Sequence, residues 1–514
     1  MQKLFDIPVD LVASGIRPGI NPESSPLWAT AMNVHFTPSG VRGMRGFGVP
    51  QVDSLFFDSV GGLFDSAAGL FDDGGGGSGD PLVSPAVSAI RGLLSYHLPT
   101  GAKRLAFATV DKIWKWDGGA AADEVQSGLG GLVDEQASIG KEATFVSIQN
   151  WGEWFVATNY IDPIKIYKTG PSMANLTGTP PTKAKILSKL GPHMLAFNTD
   201  LGGNYVEWCA EDNVEQWDPA SDPTAGNLPV RDLDNYIQAV APLGESLCVY
   251  THNEMQIMQY LGGIFQFGVK PQIDDIGAMG LFSVISTGPR NYGLILNGIF
   301  ETDGFSKRII TDKEFARWIE KNVNFDQKSK IVGWHEAKLS QLRWVVPTGN
   351  SKVPNLGIGY CYANGAFSFY DQAISIGVSP GTYDYSTVGT QSGKIFWSEA
   401  SDVISFDGGT INASLVSKPL DLKAPLAWKT LQQIQMHLKD LVSSDLQLHL
   451  GWQEKLSDPV QWYGPYPIVG ENYEEFPGNL GFVYLTIKLV AQSTATQWTL
   501  EQIKAHGVGA GKRA

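Results

Sequence analysis

The chain has 514 residues, a formal net charge of -14, and a composition that is 43% hydrophobic, 11% aromatic and only 18% charged, with 58 glycines and 29 prolines. Its length exceeds what one core usually organises, which implies two or three packed units, and plentiful Gly, Pro and aromatics favour short strands and turns over long solvated helices. The acidity argues against a protein that grips nucleic acid, since such binding rests on Lys and Arg neutralising phosphates, and no apolar run approaches the length of a membrane span.

Residues 1–52 read as an N-terminal arm with short strands. Pro18, Pro22, Pro26 and Pro38 break any helix, and the segment Leu27 to Phe36 ends in a strand before the turn Pro38-Ser39-Gly40. Trp28 and Phe36 are the apolar anchors of this arm, available either to a neighbouring subunit or to the chain's own propeller. Met1 to Asp10 lacks the basic start and apolar stretch of a signal peptide. Residues 53–84 form an insertion in which Leu55-Phe56-Phe57-Asp58, Leu63-Phe64-Asp65 and Leu70-Phe71-Asp72 repeat before Gly74 to Gly77. The Gly run reads as a hinge. The Leu-Phe pairs suit a short amphipathic helix on a neighbour or an insertion packed on its own domain.

From 85 to 400 the chain becomes a series of short apolar segments separated by Gly, Asp, Asn and Pro. Candidate strands with aromatic ends recur at Ile113–Gly118, Ile164–Gly170, Val214–Asp218, Met255–Tyr260, Ile299–Gly304 and Lys394–Trp397, mostly about 40 to 50 residues apart, as four-stranded propeller blades would space them. Between them lie Met194–Phe197, Ser246–Tyr250 and Gly293–Leu296, too short for buried helices and suited to inner blade strands. No WD or kelch signature accompanies the period, and a row of β-sandwiches would be punctuated similarly.

Residues 401–514 change style. Leu431–Leu438, Leu446–Leu450 and Val483–Leu489 alternate apolar and polar residues, and Trp498–Ile503 reads as a last strand, so this part is a β-sandwich-like domain ending in a mobile, glycine-rich tail from Gly507 to Ala514. The fold class expected is therefore all-β: a β-propeller with an N-terminal arm and a C-terminal sandwich.

A search for chemistry assigns no catalytic, metal or cofactor residue. There is no Gly-x-Ser-x-Gly elbow, and His335-Glu336 is followed four residues after the histidine by Leu339 where a zinc-protease motif needs a second histidine. Gly507 to Lys512 imitates a phosphate loop, but His506 stands at the required first glycine and no helix follows. The tight acidic pairs Asp72-Asp73 and Asp274-Asp275 would point to opposite faces of a strand, which is not a catalytic dyad. Cys209, Cys248 and Cys361 are odd in number, widely spaced and flanked by apolar residues, as buried free thiols are.

Asn33 to Gly48 resembles the opening of tail nozzle and hub proteins of short-tailed bacteriophages, including the packaged-DNA-stabilisation proteins, where an Asn-rich strand leads through a turn to an Arg-x-Gly element. Tyr205 to Pro219 looks like the same family's strand, polar turn and Trp-x-Pro closure. Glu254–Tyr260, Gly277–Gly280 and Gly298–Gly304 are similar to its core blades, with Trp498 to Gly511 as a C-terminal match. The resemblance touches about a third of the chain and implies a virion protein of the tail, assembled in the host cytoplasm, without cofactor or enzymatic activity. It also implies a sixfold ring of copies below the portal-adaptor, with fibre, spike or needle proteins as neighbours and passing contact with packaged double-stranded DNA. The acidity would then either line a channel from which DNA slides freely or serve solubility alone.

The main rival is a tail-associated carbohydrate-binding or depolymerase propeller, in which Trp151, Trp154 and Trp462 would stack on sugars. A bacterial adhesin is a third reading, disfavoured by the odd cysteine count and the missing signal peptide.

Overall fold

Short β-branched and aromatic runs, many of them stopped by a glycine or a left-handed residue such as Asn198 or Asp212, form hairpins rather than helices. In the computed structural model of the chain they assemble into a seven-bladed β-propeller fused to a β-sandwich. The structure describes residues 3–7, 28–38, 40–48, 82–83, 88–118, 122–130, 145–230, 236–263, 265–270, 273–401, 405–407, 409–421, 427–442, 445–478, 480–493 and 497–512. The Leu-Phe-Asp repeat therefore lies outside the described residues.

Blade 1 consists of Gly92–His97, Lys103–Ala108, Ile113–Trp116 and Asp123–Gln126. Blades 2 to 5 start at Ser147–Trp151, Ala184–Leu190, Ala239–Leu243 and Val284–Ser286, blade 6 at Val332–Glu336 and blade 7 at Ile374–Val378. Each innermost strand lies against that of the next blade, and that of blade 7 returns to that of blade 1, so the ring is closed. Closure matters because it leaves only short strand edges at the rim. The expected aromatic-ended segments are third strands of blades 1, 2, 4, 5 and 7. In blade 3 that strand is Gly202–Trp208, and the expected Val214–Asp218 is a turn with Trp217 buried. Met194–Phe197, Ser246–Tyr250 and Gly293–Ile295 lie in second strands, one place out from the axis.

The N-terminal segment does not stand apart as an arm. Strands β1 (Lys3–Ile7), β2 (Trp28–Met32), β3 (Val34–Thr37) and β4 (Gly40–Gly43) belong to the sandwich, and β5 (Gly46–Gly48) pairs with Lys394–Ser401 of blade 7. One sandwich layer joins β3 and β4 to Thr499–Lys512 and Ala427–Lys439. The other is a continuation of blade 6. Ala366–Tyr370 pairs with β2, β2 with Ala413–Ser417, and the nine-stranded sheet ends at Gln461–Pro467. The tail expected to be mobile is instead the end of the Thr499–Lys512 strand, where Gly507 pairs with Leu431 and Lys512 with Ala427.

Leu431, Ile434 and Leu438 from one layer meet Leu415, Leu448 and Ile487 from the other, all buried, and the same core runs on through Trp28 and Phe36 to Tyr250 and Phe300 of the propeller. Burying each such side chain is worth about 1.5–3 kcal/mol, so sandwich and propeller share stabilisation. A single α-helix among the described residues, Lys313–Asn322, links blades 5 and 6. Asp312 accepts from the backbone N–H of Glu314 and Phe315 at its N-cap, and Phe315 stacks on Phe367 at 4.4 Å.

Gly389 sits where blade 7 meets the entry to blade 1: a Cβ there would lie 2.6 Å from Cβ of Ile90 and 3.0 Å from Cγ2 of Ile376. Gly389→Val is expected to cost about 1–3 kcal/mol by overpacking this closure. Gly381→Ala, where nothing lies within 4 Å, should stay within about 0.5 kcal/mol. Urea denaturation of both variants checks the difference.

Candidate functional site

The hairpin of β3 and β4 has two faces, and a strand alternates them residue by residue. Val34, Phe36 and Val41 enter the sandwich core, while His35 and Arg42, paired across the hairpin, face the propeller. Asn33 makes the corner between β2 and β3. It is fully buried with φ of 55°, a left-handed conformation that Asn tolerates better than most residues. Its amide nitrogen donates to Asp371 and to the carbonyl of Asn412, each at 2.8 Å, and its oxygen accepts from Gln372 at 2.9 Å.

The propeller answers this face with charge. Glu399 lies in blade 7 where the pairing of Lys394–Ser401 with β5 is irregular, and it too is left-handed, with φ of 59°. Such irregularities re-aim side chains, and left-handed backbone at a non-glycine residue costs on the order of 1–3 kcal/mol that surrounding contacts must offset. Glu399 Oε1 meets His35 Nε2 at 2.8 Å and Arg343 at 3.1 Å, while its Oε2 accepts from the Arg45 backbone N–H at 3.0 Å and from Arg42 at 3.4 Å. Nδ1 of His35 lies 3.0 Å from the Tyr370 hydroxyl. Arg343 also donates to Gln341 and Ser398 and lies over the Tyr370 ring at 4.7 Å. Next to it, Glu336 accepts from the Trp334 indole at 2.9 Å and from Ser386 at 2.8 Å. His35, Arg343 and Glu399 are all buried.

Burial lowers the His35 pKa to about 4, outweighing the attraction of Glu399, and Arg42 and Arg343 push the same way. The imidazole is thus neutral near pH 7, with the carboxylate favouring the tautomer that donates from Nε2. For Glu399, burial acts upward, but the His35 contact and the two guanidiniums hold its carboxyl below the ordinary carboxylate range.

Outside this network lies a cleft of about 300 Å3 bounded by the hairpin and by blades 6 and 7, lined among others by Arg42, Arg45, Lys338, Asp384, Tyr385 and Glu336. Sequence reasoning missed both network and cleft, because their members lie between positions 33 and 399. The one local signal was the pair of Arg-Gly steps, Arg42-Gly43 and Arg45-Gly46, after the β3–β4 turn.

Trp28 and Phe36 are enclosed by their own chain, at 0% and 2% exposure, so neither offers surface to a neighbour. His335 meets the Tyr362 hydroxyl at 3.1 Å and Glu336 the Trp334 indole and Ser386, and no group of three or more His, Cys, Asp or Glu able to hold a metal occurs among the described residues. Asp275 pairs with Lys307 at 2.9 Å. Trp151 and Trp154 are half-buried beneath Lys189 and Lys168, whereas Trp462 is 43% exposed. The three cysteines are buried and free, and burial lifts the Cys209 and Cys248 thiols to about 12. Among the described residues no helix is long and apolar enough to cross a membrane.

No protein-family model matches the chain, and no curated protein matches it significantly. Among solved structures, a catalytically inactive virginiamycin B lyase from Staphylococcus aureus, crystallised with quinupristin, is similar over 62% of this chain and 97% of its own. The identity is 11% and the TM-score 0.40. Raptor from Chaetomium thermophilum is similar over 60% of this chain at 8% identity and a TM-score of 0.39, and the chain spans only 28% of that protein's length. Neither likeness bears on activity.

Glu399→Gln should cost about 3 kcal/mol in urea denaturation, because it removes the carboxylate 3.1 Å from Arg343 and leaves that buried guanidinium only Glu336 at 3.8 Å. The pH dependence follows from His35. The unfolded chain takes up its proton near pH 6.5 and the folded chain only near 4, so this stabilisation is whole above pH 6.5. It falls by about 3 kcal/mol as the pH drops to 4. Glu399, also depressed, extends the loss below its ordinary titration range. His35→Gln should flatten the stability profile between pH 6.5 and 4.5 by about one proton's slope. An unchanged slope would place His35 outside the linkage.

Proposed function

We propose that the chain is a structural subunit of a short-tailed phage tail, forming the nozzle or hub ring below the portal-adaptor that seals the packaged genome and channels it during ejection. The observation that carries this reading is mechanical. A nine-stranded sheet runs from blade 6 through the sandwich, and the hairpin of β3 and β4 is pinned to the propeller by buried charge. Propeller and sandwich therefore resist bending as one body, which a ring holding against packed DNA requires. The ordered resemblance of Asn33–Gly48, Tyr205–Pro219 and the segments of blades 4 and 5 to nozzle and hub proteins gives this rigidity its context.

A closed ring uses heterologous, head-to-tail contacts. The surface suited to one is the outer edge of the nine-stranded sheet, where Gln461–Pro467 pairs, among the described residues, on one side only and exposes Trp462 and Tyr463 at 43% and 46%. Aromatic side chains are enriched at such contacts. The net charge of -14 suits a wall past which duplex DNA moves without adhering. The same exposure of Trp462 favours the second reading, a carbohydrate-binding tail protein.

The test is the solution mass of the full chain with and without its adaptor ring, followed by electron-microscope class averages. A sixfold ring with a central channel is expected, and a monomer that never joins a ring in the adaptor's presence would overturn the proposal. Trp462→Glu combined with Tyr463→Glu should reduce the ring fraction while leaving the melting temperature of the subunit nearly unchanged.

A further inference from the structure

We infer that the cleft between the β3–β4 hairpin and blades 6 and 7 is a binding site for a small hydroxylated carboxylate, of the class of a single acidic sugar. This inference does not depend on the ring reading. The volume of about 300 Å3 lies at the lower end of small-molecule pockets, so the occupant is of single-ring size.

The lining sets the chemistry. Arg42 is anchored only at the outer limit of hydrogen bonding, 3.4 Å to Glu399 and 3.5 Å to the Gly43 carbonyl. A guanidinium has five N–H donors in a planar fork matched to a carboxylate, and those two long bonds leave most of the Arg42 fork for a ligand. The Lys338 ammonium rests 4.0 Å from the centroid of the Tyr385 ring, which holds this cation at the wall instead of leaving it to swing in solvent. Arg45 is exposed at the same opening. Three cations thus converge on one cleft in a chain whose net charge is -14.

The acids of the lining decide against a bare anion. Glu399 is occupied by His35, Arg343 and the hairpin, and Glu336 by Trp334 and Ser386. Four donors fill the acceptor sites of Glu399, whereas Glu336 keeps acceptor capacity and exposed Asp384 adds a second carboxylate to the lining. A simple anion would meet repulsion there. A ligand with its carboxylate on the arginines and lysine and its hydroxyls donating to the acids would use both halves of the lining. The left-handed backbone at Glu399 fits this assignment, since such strain clusters at binding sites.

The experiment is calorimetric titration of the full chain with glucuronate, glucose and acetate, repeated with Arg45→Gln and Lys338→Ala. Both substitutions change side chains outside the buried network, Arg45 taking part in it only through its backbone N–H, and the melting temperatures report that the fold is kept. Glucuronate is expected to bind at millimolar or lower concentration, glucose and acetate far more weakly, and each variant to weaken glucuronate by roughly tenfold or more, the worth of one charge-assisted hydrogen bond. Absence of glucuronate binding at millimolar concentration, or binding that both variants leave unchanged, would overturn the site. Acetate binding as tightly as glucuronate would overturn the hydroxyl half of the ligand class.

Discussion

The structure hinges on a four-residue strand that must satisfy two different interiors at once. Strand β3 gives Val34 and Phe36 to an apolar core and His35 to a charged one, and the period of two makes these demands inseparable. A slip of one residue would drive His35 into the sandwich and Phe36 against Glu399 and Arg343. Asn33 sets this register by holding the corner in a left-handed turn with its side chain fully engaged. Everything that joins the sandwich to the propeller depends on that register, including the passage of β2 into the blade 6 sheet and the delivery of β5 to blade 7.

Charge at this junction is better understood as a specifier than as a glue. Desolvating an ion pair costs several kcal/mol per ion, and the attraction gained roughly cancels it, whereas breaking a formed pair leaves a stranded charge. The network therefore contributes little net stability, yet strongly penalises any other arrangement of hairpin, blade 6 and blade 7. The apolar core carries the stability, since it runs without interruption from Leu448 and Ile487 to Tyr250 and Phe300. Closing the propeller with a strand from the opposite end of the domain adds a topological constraint, because blade 7 cannot open at its rim without releasing β5.

The cleft beside the network belongs to no single blade. Arg42 and Arg45 come from the N-terminal segment, Glu336 and Lys338 from the first strand of blade 6 and the turn after that strand, and Asp384 and Tyr385 from the loop inside blade 7. It exists only in the assembled molecule, and its side chains are held by elements that are themselves fixed, as a preorganised site requires. The proposed structural role and the proposed small-molecule site are compatible in one chain, since a fold can supply the body while a site is grafted on its surface.

Local sequence determined the all-β class, the propeller spacing and most strands of the sandwich, because period-two alternation and turn residues act over a few positions, as in Leu446–Gln453 and Tyr484–Ala491. The same local signals misplaced Val214–Asp218, where a buried tryptophan in a turn looks like a strand end, and made a loose tail of Gly507–Lys512, whose order comes from pairing with Leu431 and Ala427. Only the tertiary structure decided that the N-terminal segment is divided between two domains, that Trp28 and Phe36 face inward, and that His35, Arg42, Arg343 and Glu399 meet. Those residues lie up to 364 positions apart. Neither periodicity nor propensity couples residues across such distances. Their meeting is set by strand register and by the cost of leaving any one of their charges buried alone.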